Sequence, residues 1–327
     1  MATLPFIPLP KPSTHHLTGA TYLIGYPLKR SWAPLCHGTI FHSLGLNWAQ
    51  IILESTDLDA YLELCRNDPK FIGGAVTMPH KVSIIPRLDE LTTEGRDVGA
   101  CNTIFIRDGK NGERLLVGTN TDCIGIREAI RQNVSPEKLD LCEGNPGMVI
   151  GGGGTCRAAV YALKKYFGCS PVYLVNRDRT EVDIVIAGCK EAGFGHDLIH
   201  VSTVDQAESL SGPGIIVSAI PNYPPKSAEE KMARLVVETM LGKGEAEDKG
   251  ALLEMCYNPT PNTEIAAISK ANGWQVIPGL EAMIWQGLEQ DQYWTGKMVA
   301  DMPIELVKET LIKAVTAKAA AESKQPS

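Results

Sequence analysis

The sequence predicts an α/β protein built on doubly wound, mostly parallel sheet. Three observations carry this expectation. Met148-Val149-Ile150 runs into Gly151-Gly152-Gly153-Gly154 and then into Thr155-Cys156-Arg157-Ala158-Ala159-Val160-Tyr161-Ala162-Leu163, which reads as apolar strand, glycine-only turn and helix. Pro171-Val172-Tyr173-Leu174-Val175 returns as a second apolar strand, ending in Asn176-Arg177-Asp178. The separation of about 25 residues is what a right-handed crossover between parallel strands needs. Short apolar runs also alternate with helical stretches through the first 125 residues.

The totals bound the function. A chain of 327 residues with 44% apolar residues can bury a core in each of two domains. A net charge of −7, with Lys and Arg scattered and outnumbered, argues against a nucleic-acid partner. Nine cysteines form no Cys-x-x-Cys pair and no Cys/His cluster, so they read as reduced thiols without a metal site. Prolines at 5, 8, 10 and 12 break any signal-peptide apolar core, and no apolar run approaches a membrane span. The expectation is a soluble, cytoplasmic protein.

In chain order, residues 1–18 are Pro-rich and polar and read as a flexible lead-in. A first strand is expected over 21–25, then a loop in which Ser31 serves equally as helix cap or ligand contact, with Pro34 in the first turn of a helix. Strands over 48–53 and 71–76 flank a helix over 58–66. The third strand runs into Thr77-Met78-Pro79-His80-Lys81, where proline forbids continuation and a strand end presents Thr, His and Lys, as ligand sites of α/β sheets do. His80 reads as a packing or capping residue. Gly99-Ala100-Cys101-Asn102-Thr103 and Gly118-Thr119-Asn120-Thr121-Asp122 place further small polar groups at the ends of β-rich runs. Beyond the glycine turn, 215–218 and 251–257 read as strands, 242–250 as a charged loop, and the Ala/Lys-rich tail from Ala314 as fraying. The spacing Gly151-x-Gly153-Gly154-x-x-x-Ala158 departs from the commonest dinucleotide fingerprint, so a pyrophosphate cradle and a merely tight turn carry equal weight.

Taken together, Val76-Thr77-Met78-Pro79-His80-Lys81, Gly99-Ala100-Cys101-Asn102-Thr103, Asn120-Thr121-Asp122, the glycine turn, Asn176-Arg177, Tyr257-Asn258-Pro259 and Gly279-Leu280-Glu281 leading to Gln286-Gly287 resemble the shikimate and quinate dehydrogenase family, in the same order from about Leu23 to Gly296. The resemblance implies an N-terminal α/β substrate domain over 1–125, closed by a C-terminal helix at 302–316, a Rossmann-type nucleotide domain over 126–295 and a flexible tail over 317–327. The active cleft is implied to lie between the two domains.

The implied reaction is reversible hydride transfer between NAD or NADP and a ring hydroxyl of quinate or shikimate. Oxidising such an alcohol sends a hydride to nicotinamide and the hydroxyl proton to a base within hydrogen-bond reach. The resemblance assigns Asp122 to orientation and proton relay and Lys81 to proton acceptance. Partial burial lowers a lysine pKa from about 10.4 while a neighbouring Asp raises it, which leaves the status of Lys81 as a full base open. Substrate contacts are implied for Ser31, Thr77, Asn102, Tyr257 and Gln286, and cofactor contacts for Gly151, Gly153, Gly154, Asn176, Arg177, Asp178, Ser218 and Gly279. Cys101, Cys123 and Cys156 read as small core residues.

Three departures from the family pattern bear on specificity. Ser31 and Ala33 stand where the family carries two hydroxyl residues; Arg30 either binds the substrate carboxylate or is a solvated charge, and the smaller Ala33 leans the reading toward quinate. Glu254 replaces a common Asp and Cys123 a common Gly. At the cofactor-selecting strand end, Asp178 and Glu181 favour NAD while Arg177 and Arg179 admit NADP, so the lean is to NAD. The expected partner is the small-molecule substrate, with a homodimer left open. A metabolite-sensing relative and a dehydrogenase of another cyclic polyol acid are the alternatives; intact Lys81 and Asp122 argue against the first.

Overall fold

The computed structural model describes residues 4–28, 31–257 and 262–322. It divides into two compact units, Met1–Thr121 with Gln286–Ser327 and Asp122–Trp285. The division therefore falls after residues 121 and 285, where the sequence placed it after 125 and 295.

The first unit contains β1 (Gly19–Gly25), α1 (Ala33–Ser43), β2 (Trp48–Glu54), α2 (Leu58–Asn67), β3 (Phe71–Val76), α3 (His80–Ser83), β4 (Glu90–Leu91), α4 (Thr93–Val98), β5 (Thr103–Asp108) and β6 (Arg114–Thr119). Its six strands lie in the order β2-β1-β3-β5-β6-β4, parallel except where β5 runs against β3 and β6. The adjacent glycines of β3 serve opposite faces, as successive residues of a strand must. Gly73 leaves room for the Trp294 indole, whose Nε1 donates to Ile104 O at 3.0 Å, and Gly74 leaves room for Tyr61, whose hydroxyl donates to Tyr22 O at 3.1 Å. On the Tyr61 face, Tyr22, Ile24, Leu53, Phe71, Ile104 and Leu116 close a core, each buried side chain of this size contributing about 1.5–3 kcal/mol.

The second unit contains α5 (Asp122–Asn133), α6 (Pro136–Cys142), β7 (Gly147–Ile150), α7 (Gly154–Lys165), β8 (Val172–Val175), α8 (Arg179–Glu191), β9 (Leu198–His200), α9 (Val204–Ser209), β10 (Ile215–Ser218), α10 (Ala228–Leu241), β11 (Ala251–Glu254), α11 (Glu264–Ala271) and β12 (Gln275–Pro278), with α12 (Gly279–Thr295) starting here and ending in the first unit. All its strands are parallel, in the order β12-β11-β10-β7-β8-β9. The near-continuous apolar burial of the four inner strands, β11, β10, β7 and β8, is that of strands covered on both faces. The order reverses between β7 and β10, so the glycine turn after β7 sits at the switch point where doubly wound sheets bind ligands. The α/β expectation holds for both units. The segment read as a strand over 251–257 is strand only to Glu254, and the charged loop over 242–250 holds a single 3₁₀ turn, Ala246–Asp248.

Three local expectations are corrected. The segment from Leu4 is no loose lead-in: Ile7 N donates to Thr56 Oγ1 at 2.8 Å, Ser55 Oγ and Thr56 N donate to Ile7 O at 2.8 and 3.1 Å, and Leu9 and Leu17 pack into the core. Proline lacks an N–H, so such a segment needs partners mainly for its carbonyls, and the loop after β2 supplies them. Ser31 is not the helix cap. Trp32 holds that position, and Ser31 Oγ accepts from Ala33 N at 3.1 Å. The last helix, α13 (Ile304–Glu322), continues past 316, as Ala and Lys allow by their high helix propensity.

Helix α12 docks on α1 through Gly287 and Asp291, one turn apart on the same helix face. A Cβ on Gly287 would meet Cys36 Sγ at 3.2 Å and the His37 ring at 3.5 Å, while Asp291 Oδ2 lies 2.8 Å from His37 Nδ1 with both side chains fully buried. Burial pushes the Asp291 carboxyl above the ordinary range, against the pull of His37. The pair seats α12 next to Gln286, a residue the site uses.

Candidate active site

In the first unit the sequence-predicted side chains gather at one edge of the sheet. The carboxyl ends of β1, β3 and β6 and the amino end of β5 meet there, with Ala75, Thr103 and Thr119 in register. Asn102 is almost fully buried, and its side chain is the hub of a network. Nδ2 donates to Thr121 Oγ1 at 3.0 Å and to Gln286 Oε1 at 3.2 Å, while Oδ1 accepts from Thr121 N and Thr103 Oγ1, each at 2.8 Å. Gln290, one turn after Gln286, donates from Nε2 to Thr103 Oγ1 at 2.8 Å. Amides suit this position because each can both donate and accept. Thr103 and Thr121 stood in the sequence motifs without an assigned role, and Gln290 was absent from the reading; its only signal was its spacing of four from Gln286.

Lys81 stands beside this network. Its carbonyl accepts from Cys101 N at 2.6 Å, and its side chain is half-buried. Thr77 opens the turn that delivers it, with Thr77 N on Ile24 O at 2.9 Å and His80 N on Thr77 O at 3.0 Å. The loop that leads to Ser31 is pinned by Tyr26 N to Met78 O at 3.0 Å and by Leu28 N to Glu54 Oε1 at 2.9 Å. Arg30, Asn258 and Pro259 lie outside the described residues.

In the second unit Asp122 is a buried first residue of α5. The glycine turn is a backbone site. Gly151 has φ +125°, a conformation side chains resist, and a Cβ there would stand 2.7 Å from Cys156 Sγ. Gly153 is exposed, with open space where a Cβ would be, and it starts α7 with no side-chain cap. Uncapped N–H groups at a helix start, reached over bare glycine, fit a pyrophosphate. Gly154 is the first residue of α7, and buried Ala158 lies one turn on. Burial pushes the Cys156 thiol up to about 12, which leaves it an inert packing group.

Beyond the end of β8 the charged side chains have distinct partners. Asp178 caps α8, its Oδ1 accepting from Thr180 N at 2.8 Å and Glu181 N at 3.4 Å. The carboxylate set against the glycine turn is that of Glu181: its Oε2 accepts from Asn176 Nδ2 at 2.7 Å, and a Cβ on Gly152 would meet the same oxygen at 2.7 Å. Arg177 is ion-paired with Glu230. Gly279 is buried where α12 begins, a Cβ there falling 2.5 Å from Glu254 O and Met255 O, so its lack of a side chain is explained by packing. Ser218, fully buried, pairs in register with Glu254, which accepts from Cys256 N at 3.0 Å and Thr263 Oγ1 at 2.8 Å. Burial raises the Glu254 pKa despite those bonds. They also fix the backbone just before half-buried Tyr257. No group of His, Cys, Asp and Glu suited to a metal ion occurs among the described residues, and no helix among them is long and apolar enough to cross a membrane.

Known proteins show the family. The family model for the shikimate dehydrogenase substrate binding domain matches residues 23–104. A quinate dehydrogenase of Emericella nidulans is 46% identical over 297 residues, covering 87% of this chain and 90% of that one. The chain belongs to the shikimate and quinate dehydrogenase family. Among solved structures, the S. pombe dehydroquinate dehydratase and shikimate dehydrogenase superposes with a TM-score of 0.72 at 30% identity over 90% of this chain; the match spans 53% of that longer protein. The Thermus thermophilus shikimate 5-dehydrogenase, solved with NADP(H) and shikimate, gives a TM-score of 0.68 at 26% identity, over 90% of this chain and 99% of that one. As a member of the family the chain is an NAD(P)-dependent dehydrogenase.

Proposed function

We propose that this dehydrogenase oxidises the ring hydroxyl of quinate, and reversibly that of shikimate, to the 3-dehydro ketone with NAD. The observation that carries the substrate reading is the Asn102 hub, which locks Thr121 and Gln286 into a donor and acceptor array suited to vicinal ring hydroxyls. Bound nicotinamide supplies the hydride acceptor. Lys81 receives the hydroxyl proton at Nζ and steadies the developing alkoxide, Asp122 orients the hydroxyl, and Thr77, Asn102 and Gln286 hold the ring. Ser31 binds the carboxylate, and Ala33 leaves room beside it for the extra tertiary hydroxyl of quinate. Tyr257 contributes to the same acid. Gly151, Gly153 and Gly154 admit the pyrophosphate, with Ser218 and Gly279 beyond them.

NAD is the proposed cofactor because Glu181 places a carboxylate against the glycine turn at the ribose end, held there by Asn176, whereas Arg177 is engaged by Glu230. A carboxylate there accepts from ribose hydroxyls and repels a 2′-phosphate. Asp178, occupied as a cap, adds charge rather than a contact. A cytoplasmic location and a homodimer belong to the same proposal, tested by cell fractionation and by light scattering.

The deciding assay crosses quinate and shikimate with NAD and NADP and follows reduced cofactor at 340 nm. The largest kcat/KM is expected for quinate with NAD. Turnover only with NADP overturns the Glu181 reading, and silence in all four combinations overturns the substrate class in favour of another cyclic polyol acid.

A further inference from the structure

We infer that His80 is a positioning residue for Lys81, its imidazole tying the turn that carries Lys81 to the end of β2. This rests on the reading of Lys81 as the proton-handling group. Lys81 lies in α3, a helix of four residues, far below the length at which a helix holds itself together. Pro79, just before it, offers no N–H. Met78 and Val82 on either side are 65% and 48% exposed, so the turn reaches the interior through His80 and, after it, Ile84.

Backbone bonds hold the turn at its start, through Thr77 N to Ile24 O at 2.9 Å and Tyr26 N to Met78 O at 3.0 Å, within it, through His80 N to Thr77 O and Ile84 N to His80 O, each at 3.0 Å, and at Lys81, through Cys101 N to Lys81 O at 2.6 Å. The buried side chain of the turn adds a tie of its own to the end of β2, His80 Nε2 to Ser55 O at 2.8 Å, made by a ring that is 4% exposed. A carbonyl only accepts, so Nε2 carries the proton. Ser55 is fixed in turn: it is fully buried, its N donates to Gly25 O at 3.1 Å, its Oγ donates to Ile7 O at 2.8 Å, and Asp57 N donates to that Oγ at 3.0 Å. The clasp that runs from the N-terminal segment through Ser55 thus ends one residue before Lys81. His80 touches no reacting atom. It acts by denying the Lys81 backbone the displacement of about 1 Å that costs on the order of 10²-fold in rate.

The test compares His80→Phe, which fills the ring volume without a donor, with His80→Gln, whose amide nitrogen restores a donor at similar reach. Lys81→Met runs in parallel. Steady-state kcat and both KM values are measured on full-length protein shown folded by circular dichroism. His80→Phe is expected to lower kcat by about tenfold or more with the cofactor KM within about twofold of the parent, and His80→Gln to recover most of the loss. Unchanged kcat in His80→Phe, or a loss that Gln does not recover, overturns the inference. Should His80→Phe not fold, His80→Asn, whose amide is too short to reach Ser55 O, replaces it; equal turnover of the Asn and Gln variants then overturns it. Normal turnover of Lys81→Met sinks the reading of Lys81 itself. An inactive Lys81→Met beside a normal His80→Phe sinks the positioning role alone.

Discussion

In the substrate unit the candidate ligand groups are side chains locked to one another, whereas in the nucleotide unit they are bare backbone over missing side chains. Asn102, Thr121 and Gln286 spend part of their hydrogen-bonding capacity on each other before any ligand arrives, and so hold one arrangement. Gly151 and Gly153 offer no side chain to a ligand; Gly151 gives the turn its positive φ, and Gly153 leaves open space. The first kind of site is suited to the pattern of hydroxyls on a ring. The second, in the reading proposed above, accepts any pyrophosphate and leaves discrimination to Glu181 in the first turn of α8. Substitutions should therefore damage the two units in opposite senses, by deletion of side chains in one and by addition of side chains in the other.

The largest expected effect is a deletion in the substrate unit. Lys81→Ala should lower kcat by about 10²–10⁴-fold with the fold retained by circular dichroism; near-normal turnover removes the mechanism. Asn102→Ala strips partners from the buried Thr121 and Gln286 groups at about 1–3 kcal/mol, and kcat/KM for the cyclic acid should fall by a matching 5- to 150-fold while cofactor affinity holds. Equal losses for acid and cofactor would erase the contrast between the units. Addition in the nucleotide unit comes next. Gly151→Ala imposes a Cβ at φ +125° and should cost about 1–3 kcal/mol in denaturant unfolding, whereas Gly153→Ala meets open space and should cost under about 1 kcal/mol.

Smaller again, Glu181→Gln should move the NADP to NAD ratio of kcat/KM toward NADP by about tenfold, since a like charge facing the 2′-phosphate is removed. Asp178→Ala should chiefly lower stability, by about 1 kcal/mol, through loss of the α8 cap. The reverse ranking of these two on cofactor choice would return selectivity to Asp178. The smallest effect is one of pH. The Glu254 pKa is raised in the folded protein, so the folded state binds the extra proton, and stability falls as pH rises from the ordinary carboxylate range through the raised value. Glu254→Gln should flatten that decline in unfolding curves taken across pH.

How much of this was legible in the sequence follows the same contrast. That Lys81, Asn102 and Asp122 sit where apolar runs stop was readable, because a strand end facing a turn is visible in composition; the roles proposed for Lys81 and Asp122 came from the family resemblance. The glycine turn was readable as backbone needing room. The bond between Gln290 and Thr103 was not, because it depends on which helix face meets which strand. The capping role of Asp178 was not readable, because a carboxylate at a strand end can serve a ribose or the next helix; Asp178 caps α8 through the N–H groups of Thr180 and Glu181. The N-terminal segment was misread for its prolines, which resemble a tail in composition yet leave carbonyls free to be clasped.

The His80 imidazole has a consequence of another kind. A ring N–H that is buried and committed to the Ser55 carbonyl exchanges slowly with solvent, and so should give a resolved downfield line in a proton magnetic resonance spectrum of the native protein. That line comes from the residue next to Lys81 and needs no attached label. Its shift on titration with the cyclic acid, and its survival when cofactor alone is added, would let the geometry of the catalytic turn be followed in solution while the enzyme binds its substrates.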